Sequence, residues 1–230
     1  MIIEAIGLPG SGKTFLFNKL KEKLSDEKKV YNFTELSRNN LHCKIVVKLF
    51  LGFISLPFTF LNWKKELYTI IDNELPHRSS FGLYSSPTYC VNYAILMCIV
   101  YRFVNQSEKF FLFDEGMYHN IVKLCSDFNW PIEVSEKLLQ KCNELAGIEE
   151  NRKNHIVIYN YYPVYETKNS IKNRNRHVSL FDELSNEQLD SILKRYENYN
   201  EKIFKQAIVI NRSDSIEKNL RRIISEIEER

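Results

Sequence analysis

Gly7-Leu8-Pro9-Gly10-Ser11-Gly12-Lys13-Thr14 reads G-x-x-x-x-G-K-T. Glycines at this spacing let successive backbone N–H groups turn inward, and a helix starting behind them adds its positive end. Gly7, Pro9, Gly10, Ser11 and Gly12 are therefore expected to cradle phosphate oxygens. Lys13 would reach the β- and γ-phosphates of a nucleoside triphosphate, and the Thr14 hydroxyl would hold Mg²⁺. The expected cofactors are ATP and Mg²⁺.

Lys109-Phe110-Phe111-Leu112-Phe113-Asp114-Glu115-Gly116 is an apolar run ending in two carboxylates. On a strand beside the P-loop strand, its end would face the phosphates. Asp114 can then hold the metal with Thr14 or accept the proton of an attacking hydroxyl. Glu115 is a second candidate, unless its neighbouring position turns it away. Arg174 and Arg176 stand in a polar stretch, Tyr161 to Asp182. They suit a lid that excludes water and stabilises the transferring phosphoryl, or else a solvated basic loop. Lys172 and Arg152 are weaker candidates of the same kind. Glu35, after Phe33-Thr34, could bind or deprotonate an acceptor hydroxyl, or simply cap the next turn. Arg38 and Arg78 could bind an anionic acceptor or form surface ion pairs. The lone His77 and His119 are assigned no role. The catalytic set is thus Lys13, Glu35, Asp114, Glu115, Arg174 and Arg176.

Positioning these residues requires strands, expected at Met1–Ile6, Val30–Phe33, Lys109–Phe113, His155–Tyr159 and Ala207–Ile210. Each is short and nearly all apolar, as in a parallel sheet buried on both faces. Helical patterns between them make the class α/β, with right-handed crossovers. Phe15, Leu16, Leu20 and Leu24 continue the P-loop as a helix. Ser185-Asn186-Glu187-Gln188 reads as a capping box opening a long helix, and Asp214 with Glu217 opens the last one. The interval between the second and third strands is longer than a crossover needs. Residues 36–105 are therefore expected to be a helical acceptor-binding insertion, and 161–182 an irregular lid, within a single domain spanning 1–230.

Composition narrows the class. With 44% hydrophobic and 27% charged residues, the chain is ordinary for a folded soluble protein. A net charge of +3 without basic–aromatic interleaving gives no reason to expect a nucleic-acid partner. Five cysteines without CxxC spacing point to a reducing compartment, and no signal peptide is apparent. The expected location is the cytoplasm. Ile45 to Leu61 is apolar but too short to span a bilayer, and Gly52 and Pro57 interrupt it. A buried helical pair is expected there; peripheral membrane contact is the less favoured reading. Oligomeric state is not legible.

The layout resembles the P-loop nucleoside and nucleoside-monophosphate kinases, with thymidylate kinase and deoxynucleoside kinases as the nearest types. The resemblance rests on GLPGSGKT after the first strand, Glu35 after the second, Asp114-Glu115-Gly116 after the third, Lys172 to Arg176 after the fourth and Asn211-Arg212-Ser213 after the fifth. It implies a three-layer kinase fold with a five-stranded parallel sheet in the order 2-3-1-4-5. It also implies transfer of the ATP γ-phosphoryl to a small acceptor, most simply a nucleoside or nucleoside monophosphate. Arg212, and with it Ser213, would line the adenine pocket. Two departures stand out: Asp-Glu replaces the family's Asp-Arg or Glu-Arg pair, and no proline motif follows Glu35. A Glu in place of that Arg suits an acceptor hydroxyl. A sugar or lipid-linked acceptor in surface-polysaccharide metabolism, or an ATPase or switch using Asp114-Glu115, are the rival readings.

Overall fold

The computed structural model describes residues 1–25, 28–33, 57–71, 87–105, 109–173, 181, 183–203, 205 and 207–230. Five strands alternate with helices: β1 (Ile2–Ile6), β2 (Val30–Asn32), β3 (Phe110–Phe113), β4 (His155–Tyr161) and β5 (Ile208–Asn211). They form one sheet in the order β2-β3-β1-β4-β5, every pair parallel. Both the expected strands and their order are thus observed, with ends shifted by one or two residues. β1 sits at the centre and is buried along its whole length, which is why its sequence is almost wholly apolar.

Strand alternation divides the core into two halves. Ile3 and Ala5 of β1 meet Leu16, Phe17 and Leu20 of α1 (Lys13–Leu24), together with Leu220, Ile223 and Ile227 of α8 (Ile216–Glu228). Ile2 and Ile6 face the opposite layer. That layer holds α3 (Pro87–Val104), α4 (Met117–Phe128), α5 (Ile132–Ala146) and α7 (Asn186–Ile203). Helix α2 (Pro57–Ile71) joins through Leu67 and Ile71. The three-layer α/β arrangement follows from these two apolar faces.

Both α2 and α3 open on proline, tolerated where the missing N–H would find no intrahelical partner. Their place between β2 and β3 makes the interval helical where it is described. Tyr101 of α3 is fully buried in the layer against the sheet, so this helix builds the core itself. Of the apolar run Ile45 to Leu61, residues 45–56 lie outside the described part; Pro57 begins α2, and Leu61 is exposed. No helix among the described residues is long and apolar enough to cross a membrane. Cys98, Cys125 and Cys142 are buried.

Two local expectations need correction. The stretch after β4 is not irregular where it is described: α6 runs from Val164 to Asn173. Pro163 precedes it and Glu166 stands in its first turn, both favourable at a helix start. Only Thr167 and Ile171, four residues apart, are buried, too few to announce a helix by periodicity. The last helix is capped by Ser215, not Asp214: the Ser215 hydroxyl accepts from Lys218 N at 3.2 Å. Asp214 instead pairs with the Lys218 ammonium. The capping box at α7 is as expected, Ser185 Oγ accepting from Gln188 N and Gln188 Oε1 from Ser185 N.

Candidate active site

β1 runs straight into the phosphate-type loop, and the loop's shape depends on its glycines. Gly7, Gly10 and Gly12 have φ of 138°, 82° and 88°, in the region that side chains other than glycine rarely adopt. A Cβ on Gly7 would also lie 2.6 Å from the Asn160 carbonyl oxygen. Asn160 of β4 braces the loop, its amide donating to Ser11 O at 2.9 Å. Helix α1 has Gly12 as its N-cap residue, with no side-chain cap and no acidic residue in its first turn. Its positive end is therefore left to an external anion.

The Lys13 ammonium donates to Gly7 O at 3.0 Å and Leu8 O at 3.1 Å. Burial pushes it down to about 8, while Glu115 and Asp114 pull the other way. The Thr14 hydroxyl donates to Asp114 Oδ2 at 2.7 Å across the gap between β1 and β3. Asp114 is buried and Glu115 exposed, yet both reach a cavity of about 550 Å³ with Lys13 and Thr14. Pro9, Gly10 and Gly12 line the same space.

A smaller cavity of about 320 Å³ shares Gly12 and Phe15 with the first. Arg212, Asp214 and Asn219 line its far side. The Arg212 guanidinium donates to Gly10 O at 2.5 Å and lies 4.4 Å from the Tyr162 ring centroid. It thereby links the loop after β5 to the phosphate-type loop and to the end of β4.

Beneath the Asp114 turn lies Glu4, fully buried on the central strand. Its Oε2 accepts from the Tyr101 hydroxyl at 2.6 Å and its Oε1 from His119 N at 2.9 Å. Met117 N in turn donates to the Tyr101 oxygen at 3.3 Å. Burial pushes the Glu4 carboxyl up to about 7, and these donors pull it back. Burial likewise holds the His119 ring well below its usual range, with Lys13 and Lys123 adding to the effect.

Of the residues marked in the sequence, Pro9, Gly10, Gly12, Lys13, Thr14, Asp114 and Glu115 meet around one cavity. Gly7 and Ser11 shape the loop behind it, and Arg212 stands at its side. Glu35, Arg174, Arg176, Arg38, Arg78 and His77 lie outside the described residues. Lys172 points elsewhere, donating to Leu184 O. Sequence reasoning gave His119 no role and passed over Asn120 and Lys123; these three present one face of α4 to the cavity, with Ser170, Phe181 and Tyr196, also passed over, lining it as well. Only the first three carried a signal, the i, i+1, i+4 spacing directly after Asp-Glu-Gly.

The chain matches no protein-family model and no curated protein sequence. Solved structures do match over its full length. The deoxyadenosine kinase from M. mycoides with bound dATP is 14% identical, with a TM-score of 0.51 covering 99% of this chain and 100% of that one. The same enzyme with bound dCTP gives 14%, 0.51 and complete coverage of both chains. The YorR protein from Bacillus subtilis, in complex with phosphorylated GDP, is 13% identical at a TM-score of 0.50, covering 99% and 96%. This chain has the deoxynucleoside kinase fold. At such identity the likeness concerns the fold, and the chemistry rests on the site.

Proposed function

We propose that the protein is a kinase that transfers the γ-phosphoryl group of ATP to a nucleoside or nucleoside monophosphate. The observation that carries this is the Thr14–Asp114 contact at 2.7 Å beside Lys13 at the mouth of a glycine loop. A hydroxyl and a carboxylate are hard oxygen donors, and Mg²⁺ is usually held by one or two such groups plus substrate phosphates. The donor set therefore fits Mg²⁺, with Thr14 and Asp114 as its protein ligands. When bound, the ion would neutralise charge on the β- and γ-phosphate oxygens.

The remaining steps belong to the chain itself. Backbone N–H groups of Gly10 to Thr14 and the uncapped end of α1 bind the triphosphate. Lys13 leaves the carbonyls of Gly7 and Leu8 to meet the β- and γ-oxygens. Arg212 and Phe15 bound the smaller cavity, which has room for the base. Glu115, exposed on the cavity and close enough to Lys13 to act on its charge, is placed to accept the acceptor hydroxyl's proton. Arg174 and Arg176, carried beyond α6, would close over the phosphates.

The test is an ATP-consumption assay against nucleosides, nucleoside monophosphates, sugars and polyprenols. The expected result is a slow basal rate strongly raised by a nucleoside or its monophosphate. Stimulation by a sugar or polyprenol alone overturns the acceptor assignment. Rapid hydrolysis indifferent to every acceptor overturns the kinase.

A further inference from the structure

Glu4 is the only charged residue of β1, set between Ile2 and Ile6 on a face that otherwise packs apolar side chains. Burying a carboxylate costs several kcal/mol unless donors surround it. The donors here belong to one place, the start of α4. Gly116, the N-cap residue of that helix, brings no capping side chain, so its first N–H groups need partners from elsewhere. The Tyr101 hydroxyl takes Met117 N, and Glu4 takes His119 N and the Tyr101 hydroxyl. The cap is supplied from β1 and α3 across the fold.

The consequence lies three residues away in each direction. β1 leads from Glu4 to Gly7 and the phosphate-type loop; α4 leads back from Met117 to Asp114 and Glu115. The Glu4 carboxylate thus ties the strand delivering Thr14 to the turn delivering Asp114, beneath the contact those two make. Gly116 is the point of closest approach. A Cβ there would collide with the Tyr101 hydroxyl and the Glu4 carboxyl carbon, so no other residue fits without displacing the pair. This accounts for the glycine of Asp-Glu-Gly at a position whose φ of −90° any residue could adopt.

We infer that Glu4, held by Tyr101 and reached through Gly116, is the positioning residue that sets the Asp114–Glu115 turn against the phosphate-type loop. It touches neither substrate nor metal; it acts through the turn. The inference rests on the reading of Asp114 as a metal ligand.

Glu4→Gln, Tyr101→Phe and Gly116→Ala test it. Binding of a fluorescent ATP analogue is titrated with and without Mg²⁺, and turnover is measured on the same samples. A group supporting a metal ligand typically changes metal affinity or activity by about 10- to 100-fold. The expected result is metal-free nucleotide affinity within about threefold of wild type, with Mg²⁺ half-saturation raised about tenfold or more. kcat falls with it while KM for the nucleotide holds. Folded variants with wild-type Mg²⁺ dependence and kcat overturn the inference, leaving Glu4 a structural cap. Equal losses with and without Mg²⁺ overturn it too. If Glu4→Gln does not fold, Tyr101→Phe, which removes a single hydroxyl, decides. Metal-linked binding is read without turnover, so a wild type that binds but transfers nothing refutes the kinase alone, and the titration still judges Glu4.

Discussion

The Thr14 hydroxyl and the Asp114 carboxylate, 100 residues apart in sequence, meet at 2.7 Å where β1 and β3 end side by side. The contact exists because the two strands are parallel neighbours, so their C-terminal ends open on the same edge. Asp114→Asn retains the shape and one acceptor but loses the charge. We expect kcat to fall by roughly 100-fold or more, as for loss of a metal or proton-transfer partner. Nucleotide binding without Mg²⁺ should survive. Full turnover in this variant would remove Asp114 from the chemistry.

Lys13 yields a pH dependence of binding. Burial holds its ammonium down at about 8, whereas a bound triphosphate favours the charged form. Above that pH the free protein must take up a proton to bind. Affinity should therefore weaken as pH rises past about 8, approaching tenfold per unit. Titration of a fluorescent nucleotide at several pH values measures the slope, and Lys13→Ala should bind weakly with no such slope.

Arg212 joins the loop after β5 to Gly10 and to Tyr162. Its truncation to alanine removes a charged hydrogen bond and a cation–π contact. The expected signature is a rise of roughly tenfold in KM for the donor with a smaller change in kcat. A kcat effect alone would place Arg212 at the phosphoryl group and not at the donor's binding side.

Buried titratable groups set opposing pH slopes on stability. His155, packed on the Tyr118 ring, is pushed down to about 3 by burial first and by Arg230 second. A base with a depressed folded value contributes stability above about pH 6.5 and loses it as pH falls toward 3, on the order of 4–5 kcal/mol. His155→Phe keeps the stacking and removes the proton acceptor, so its acid unfolding midpoint should lie lower than that of wild type.

Glu4 slopes the other way. Its folded value near 7 exceeds the unfolded one, so its contribution is complete below about pH 4.5 and is lost as pH rises through 7. The loss is about 3 kcal/mol. Glu4→Gln does not titrate, and its stability relative to wild type should increase between pH 5 and 8 in urea unfolding. A constant difference across that range would show that the carboxyl titrates where it does in the unfolded chain.

What the sequence made legible was what local pattern encodes. Strands buried on both faces appear as unbroken apolar runs, and Ser185 with Gln188 appears as a reciprocal cap. The place of Asp114 was legible because the apolar run it ends reads as a strand, and parallel strands beside the loop open on the same edge. Helix α6 was hidden because its buried contacts are confined to Thr167 and Ile171. The Ser215 cap was mistaken for Asp214 because both residue types cap and they are adjacent. Glu4 carried no signal at all, since its partners Tyr101 and His119 stand 97 and 115 residues away. Pairings of that kind are properties of the folded topology, and no periodicity announces them.

Helix α6 also leans on the glycine loop. A Cβ on Gly10 would lie 3.0 Å from Ile171 Cγ1, and the Ser170 hydroxyl donates to Gly10 O at 3.4 Å. A displacement of α6 would therefore be transmitted to the Gly10 peptide, one of those proposed to hold the phosphates. On the kinase reading, substitutions at Ile171 should change how fast a fluorescent nucleotide leaves the loop, an off-rate that stopped-flow displacement reads directly.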